Sequence, residues 1–336
     1  QRASNCATPR RMKYNLRTLQ PSRKMGAAAG MHQSFHPKRI CLMIVFAILA
    51  TLLLSCQSNG AETKKLSDAQ ATRTPLPKTS VTENVFSIGE DGAETQSVCE
   101  ESGTIQNLSI HSDALKDTLE FSVYYPPCYH VHPKEPYPVI YLLHGQWQGF
   151  DLWQSLGIQA VADDLILNQR RLPFLIIMPH EKYQFRPKEN NPFAVAILED
   201  LLPWAQQNLS VCAERACRAI GGISRGAAWA AQLAFQYPGY FVALGTHSIS
   251  LSDADRMNIS NWVTSMNKDE LPRIYADVGS SDPTVKNAST FDQTLNALGV
   301  THEWHLNAGN HNAEYWQQHL ADYLRWYTLD WLDTNR

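Results

Sequence analysis

Gly222-Ile223-Ser224-Arg225-Gly226 is the stretch of this sequence with the clearest chemistry. A serine with glycine two positions away on each side fits a sharp turn from strand to helix, its hydroxyl lifted above the sheet. Residues 219–222 read as a short buried strand and 227–236 as a small-residue helix, so both arms of that turn are present. Glycine at 222 and 226 lets the two arms approach closely. The free amides of the helix N-terminus favour negative charge developing beside the serine.

A serine hydroxyl is a weak nucleophile and needs a base. The chain has 12 histidines. His311, in Gly309-Asn310-His311-Asn312, stands in a loop between the last strand and the last helix, at the carboxyl edge where open α/β sheets carry their chemistry. His302 and His305 fall on a strand, His319 on the last helix, and His32 and His36 near the N-terminal apolar run. His130 and His132 read as exposed loop residues rather than a metal pair, and no Cys or His spacing suits zinc. No cofactor is expected. The group that orients His311 is expected to be Asp282, in the loop 279–283 beyond strand 273–278; Asp277, fixed inside that strand, is second choice. Leu143-His144-Gly145-Gln146 follows another strand, so the amides of Gln146 and Arg225 are the expected donors to an oxyanion, with His144 structural. Trp147, Trp153, Phe185 and Trp316 are candidate lining groups.

These residues need a sheet with its carboxyl edge exposed. Residues 105–110 and 119–125 look like an antiparallel hairpin, and 139–143 and 174–178 are continuous apolar runs, the mark of strands covered on both faces. Further strands are expected at 242–245, 273–278 and 302–306, with helices at 191–208 and 314–333. Alternating strands and helices predict an α/β fold: a doubly wound, mostly parallel sheet with helices on both faces. About 25 residues separate the strand ending near 245 from the one at 273, too few for a large lid domain.

The net charge of −3 hides an asymmetry. Residues 1–56 hold nine Lys or Arg and no acid, leaving 20 basic against 32 acidic residues in the remainder. Such an acidic body argues against nucleic acid as a partner. Met31 opens a short basic segment, followed by the apolar run 40–54; at 1.5 Å per residue its 15 residues span roughly 22 Å, short of the ~30 Å hydrocarbon core. That pattern reads as a signal peptide over 31–55. Its Leu53-Leu54-Ser55-Cys56 end resembles a bacterial lipoprotein signal, which implies a lipid on Cys56 and a membrane-anchored, extracytoplasmic protein. Residues 1–30 are expected to lie upstream of the native start, 56–85 to form a polar tether, and 86–336 to be the catalytic domain. Beyond Cys56 four cysteines remain, an even number that suits an exported domain. Cys99 and Cys128 are symmetric about residues 113 and 114 and meet if the hairpin turns there; Cys212 and Cys217 close a small loop.

From Tyr125 to Trp326 the chain resembles the esterase D type of α/β-hydrolases, a group that includes feruloyl esterases, S-formylglutathione hydrolases, enterochelin esterases and mycolyltransferases. The matching pieces are YYPPCY from Tyr124, YLLHG from Tyr141, LEDLLPW from Leu198, IGGISRGA from Ile220, VGSSD from Val278 and GNHNAEYW from Gly309. The resemblance implies ester hydrolysis with Ser224, Asp282 and His311 as the triad, in the chain order of that fold. An open site on a tethered protein suits acyl or feruloyl esters of carbohydrate. Acyl transfer with the same triad and a catalytically silent binding protein are the alternatives. Two features depart from the group: Gln146-Trp147 replaces small residues after the His-Gly pair, and Arg225 stands where a medium apolar residue is common.

Overall fold

The structure, a computed structural model, describes Cys99 and residues 101–130 and 133–332. The chain divides into Gln1–Ser87 and Ile88–Arg336, and every described residue belongs to the second unit. The expected signal, tether, Cys56 and His132 lie outside the described residues.

Strands β1 (Thr104–Ser112) and β2 (Asp117–Tyr125) form the expected hairpin. Its ladder runs from Thr104–Tyr125 to Ser112–Asp117, so the turn is centred between Ala114 and Leu115, one residue beyond the point that cysteine symmetry implies. Both disulfides are nevertheless present, Cys99–Cys128 and Cys212–Cys217. The chain continues through β3 (Val139–Leu143), α1 (Leu152–Ser155), α2 (Ile158–Leu167) and β4 (Leu175–Pro179). Next come α3 (Phe193–Val195), a π-helical stretch (Ala196–Leu201) and α4 (Leu202–Asn208). The remainder is β5 (Arg218–Ile223), α5 (Arg225–Gln236), β6 (Ala243–His247), α6 (Asp253–Ser265), β7 (Arg273–Gly279), α7 (Val285–Ala297), β8 (Glu303–Asn307) and α8 (Ala313–Tyr327).

The eight strands lie in the order β1-β2-β4-β3-β5-β6-β7-β8. β1 and β2 are antiparallel, β2 runs antiparallel to β4, and β3 to β8 are parallel to one another. This is the doubly wound α/β-hydrolase architecture expected. Successive side chains of β3 feed opposite layers: Val139, Tyr141 and Leu143 pack with α3, α4, α5, α6 and α7, whereas Ile140 and Leu142 pack with α1, α2 and α8. A strand buried on both faces has no polar face, which is why VIYLL is continuous.

Two helices differ from expectation. The helix expected over 191–208 carries a π-helical stretch just ahead of Pro203, whose ring lacks an N–H and collides with the carbonyl four residues back in a regular helix. α8 ends at Tyr327, short of residue 333. The Thr328 hydroxyl donates to the Leu324 carbonyl at 2.7 Å, and the chain then folds back so that the Trp331 carbonyl accepts from the Leu172 N–H. Leu332 bridges Arg171 just ahead of β4, while Cys99 is tied to Cys128 just past the end of β2, whose last residues pair with the start of β4. Both ends of the described chain therefore lie at the amino edge of the parallel strands. Among the described residues no helix is long and apolar enough to cross a membrane.

Candidate active site

The turn after β5 has the strain that its sequence implies. Ser224 sits at φ 56°, ψ −116°, between the strand and the first residue of α5. A Cβ on Gly222 would lie 2.5 Å from the Gly226 carbonyl carbon, and one on Gly226 would lie 2.4 Å from the Leu143 carbonyl oxygen, so neither position admits a side chain. Positive φ on a serine costs of order 1–3 kcal/mol and persists where its surroundings over-determine it. Here the Ser224 N–H donates to the His247 carbonyl at 2.8 Å, and the Ser224 carbonyl accepts from the Ala228 and Ser250 N–H groups at 3.2 Å each.

Asp282 and His311 meet on the loops beyond β7 and β8. His311 Nδ1 lies 3.0 and 2.9 Å from the two Asp282 carboxylate oxygens. A carboxylate there holds the proton on Nδ1 and leaves Nε2 as the acceptor. Burial pushes the Asp282 carboxyl up, but hydrogen bonds from His311, from the Thr284 hydroxyl and N–H, and from Ser248 outweigh it and hold the group below its ordinary value. Asp282 is thus kept ionised beside the imidazole.

Asp277, the second choice, serves a separate pair. Fully buried, it lies 2.7 Å from His247 Nδ1 and accepts from the Tyr315 and Tyr323 hydroxyls at 2.7 Å each. The other nitrogen of His247 meets the Tyr327 hydroxyl at 3.0 Å. That hydroxyl fits only because β5 and β6 carry glycine beneath it: a Cβ on Gly221 or Gly245 would sit 1.6 or 1.9 Å from the oxygen. Burial, with the Asp277 charge behind it, pushes the Tyr323 and Tyr327 hydroxyls well above their ordinary range, so they remain donors.

Sequence reasoning missed the segment that joins these parts, His247 to Ser250. Ser248 has φ 50°, accepts from the Trp316 indole N–H at 3.1 Å, and lends its carbonyl to the Thr284 hydroxyl at 3.2 Å. His311 rests edge-on against Trp316, ring centres 5.1 Å apart. One short segment after β6 therefore contacts the Ser224 turn on one side and the Asp282–His311 pair on the other. Only its strained serine marks it, and Ser248, unlike Ser224, has no flanking glycines to signal the strain. Among the described residues no hydrogen bond joins the Ser224 hydroxyl to His311, a contact that often tightens only when substrate binds.

The loop after β3 supplies the remaining groups. Neither the Gln146 nor the Arg225 main-chain N–H has a partner among the described residues. His144 is buried and structural: Nδ1 donates to the Gly145 carbonyl at 2.8 Å, and Nε2 accepts from the Glu181 N–H at 2.9 Å. Burial pushes this imidazole down to about 4, so it stays neutral and in one tautomer. The Arg225 side chain grips Glu181, with Nη2 to Oε1 at 2.6 Å and Nε to both oxygens at 3.0 and 2.9 Å.

The lining tryptophans divide. Trp147, at φ 70° and 79% exposed, stands at the rim with its ring 4.4 Å from that of Phe185, itself 59% exposed. Two expectations are corrected. Trp153 is a core residue, 1% exposed and packed against His247; Trp316, 3% exposed, lies behind His311 rather than along an open wall. Both fall at helical positions whose apolar face turns toward the sheet, and burial of so large a ring outweighs exposure. Among the described residues no cluster of His, Cys, Asp or Glu could hold a metal ion.

The family model described as "Putative esterase" matches residues 112–327. An esterase of Mycobacterium tuberculosis is 32% identical over 121 residues, covering 33% of this chain and 25% of its own. A bifunctional endo-1,4-beta-xylanase/feruloyl esterase of Xylanibacter ruminicola is 28% identical over 137 residues, covering 37% and 18%. The chain thus spans a quarter or less of the length of these curated relatives. Among solved structures, a ferulic acid esterase superposes with a TM-score of 0.61 at 21% identity, covering 68% of this chain and 98% of that one. An S-formylglutathione hydrolase from Agrobacterium tumefaciens gives 0.55 at 16%, covering 68% and 96%. With the family model spanning more than half its length, the chain belongs to the esterase family of the α/β-hydrolase fold.

Proposed function

We propose that this chain hydrolyses carboxylic esters through an acyl-enzyme on Ser224. His311 Nε2 removes the hydroxyl proton as Ser224 Oγ attacks the ester carbonyl. The oxyanion is received by the Gln146 and Arg225 amides, and the proton passes from His311 to the departing alcohol. Water then enters by the same route, its proton going to His311 and its oxygen to the acyl carbon, which frees the acid and restores the serine. Asp282 holds the imidazole in the tautomer that both half-reactions need. The observation that carries the reading is the Asp282–His311 pair, linked through the segment after β6 to the turn of a strained serine, together with two unspent amides.

An open rim with an exposed Trp147–Phe185 pair does little to exclude water, which favours hydrolysis over acyl transfer. It also suits esters displayed on bulky material such as carbohydrate. The apolar run 40–54 and Cys56 support export and a lipid anchor for the same protein. Turnover of 4-nitrophenyl acetate, with stoichiometric acetylation of Ser224 seen by mass spectrometry after rapid quench, tests the chemistry. Ser224→Ala must abolish both signals; turnover that survives it refutes the assignment.

A further inference from the structure

A cavity of about 290 Å³ opens between the Gln146 and Arg225 positions and the start of α6. Its walls carry Leu251, Lys188, Glu189 and Asp255. Lys188 and Asp255 are both buried, and they pair at 2.6 Å. The Lys188 ammonium also donates to the Ala228 carbonyl at 2.9 Å and stands 4.8 Å from the centre of the Trp229 ring, which leaves one of its three N–H groups without a hydrogen-bond acceptor among the described residues. Arg225 spends Nε and Nη2 on Glu181 and the Arg186 carbonyl, and its Nη1 has no partner among the described residues. Each cation is already matched by a carboxylate, so the cavity has unspent donors without excess positive charge. Glu189 and Asp255 add acceptors.

A carboxylate ligand would meet those two acids, and a hydrocarbon chain would strip the unspent donors of water without replacing it. A hydroxyl both donates and accepts, so a wall of mixed donors and acceptors matches a polyol. The volume is at the lower limit of ligand pockets, roughly 300–1,000 Å³, and suits one ring rather than a chain. We infer that this cavity binds a single sugar ring of the ester's alcohol moiety, with Lys188 and the Arg225 guanidinium donating to ring hydroxyls. The inference rests on the esterase reading above and names the substrate half that fills the space beside the oxyanion amides.

The test compares kcat/KM for 4-nitrophenyl acetate and for a mono-acetylated methyl pyranoside, two esters with one acyl group and different alcohols. In Lys188→Met the sugar-to-aryl ratio falls about tenfold, the size of one hydrogen bond from a charged donor. Because that change breaks a buried pair, Glu189→Trp is the second variant: it sits on an exposed segment, touches neither ion pair, and narrows the same space. The ratio falls there too. A ratio unchanged in both variants overturns the inference, as does a change that follows the acyl group when the alcohol is held constant. Wild type that cleaves the aryl ester but no sugar ester overturns the pocket while leaving the esterase reading intact. Cleavage of neither ester removes both.

Discussion

Acid should loosen the loop that carries the oxyanion amide, and His144 sets how much. Its imidazole is held at about 4 in the folded chain against 6.5 as the ordinary value. Between those values the unfolded chain binds the extra proton and the folded chain does not, so stability falls as pH falls through that window. Integrating from pH 7 to pH 4.5 gives a loss of about 2.5 kcal/mol from this one ring. Asp282 does not interfere, because its lowered carboxyl contributes stability that is lost only below its ordinary value of 3.8. The measurement is urea unfolding followed by tryptophan fluorescence at pH 7 and 4.5, in wild type and in His144→Gln. An amide can accept from the Glu181 N–H and donate to the Gly145 carbonyl but cannot take up the proton. Other titrating groups cancel in the double difference. Wild type should lose about 2.5 kcal/mol more than the variant. Equal losses in the two proteins would falsify the argument that this ring is forced neutral by burial.

Asp282→Asn should cut kcat by roughly 10⁴ with the fold intact, through loss of the correct His311 tautomer. Asp277→Asn should act in the opposite manner, lowering the melting temperature through a loss of about 3 kcal/mol or more, since three buried groups lose a charged acceptor. Steady-state kinetics and thermal melts on both variants separate the two carboxylates. Gly245→Ala should destabilise by about 1–3 kcal/mol, because its Cβ meets the Tyr327 hydroxyl; Tyr327→Phe in the same chain should recover little, as the ring carbon is only 2.5 Å away. The disulfides close loops of 29 and 5 residues, so Cys99→Ser/Cys128→Ser should cost about 3.5 kcal/mol and Cys212→Ser/Cys217→Ser about 2 in denaturant unfolding.

The parallel strands were legible because burial on both faces removes polar residues and leaves runs such as VIYLL and LIIM. Ser224 was legible for a steric reason: neither Gly222 nor Gly226 has room for a methyl group, and that constraint is written directly as glycine. The distinction between Asp277 and Asp282 was legible as strand against loop. What escaped was lateral. Sequence spacing says nothing about which wall a tryptophan faces, so Trp153 and Trp147, six residues apart, looked equivalent, yet one is 1% and the other 79% exposed. Arg225 read as a departure near the pocket, and its partner Glu181 lies 44 residues earlier in a loop with no periodicity to reveal it. The turn of the first hairpin slipped by one residue because a disulfide tolerates offset partners where a hydrogen-bonded ladder does not.

Cys99 and Leu332 both leave the sheet on the side away from Ser224 and His311. Among the described residues, the two ends therefore stand at the foot of the sheet and the loops that carry the serine and the imidazole at its top. A bead or a surface coupled through residue 332 itself leaves the rim clear for large esters.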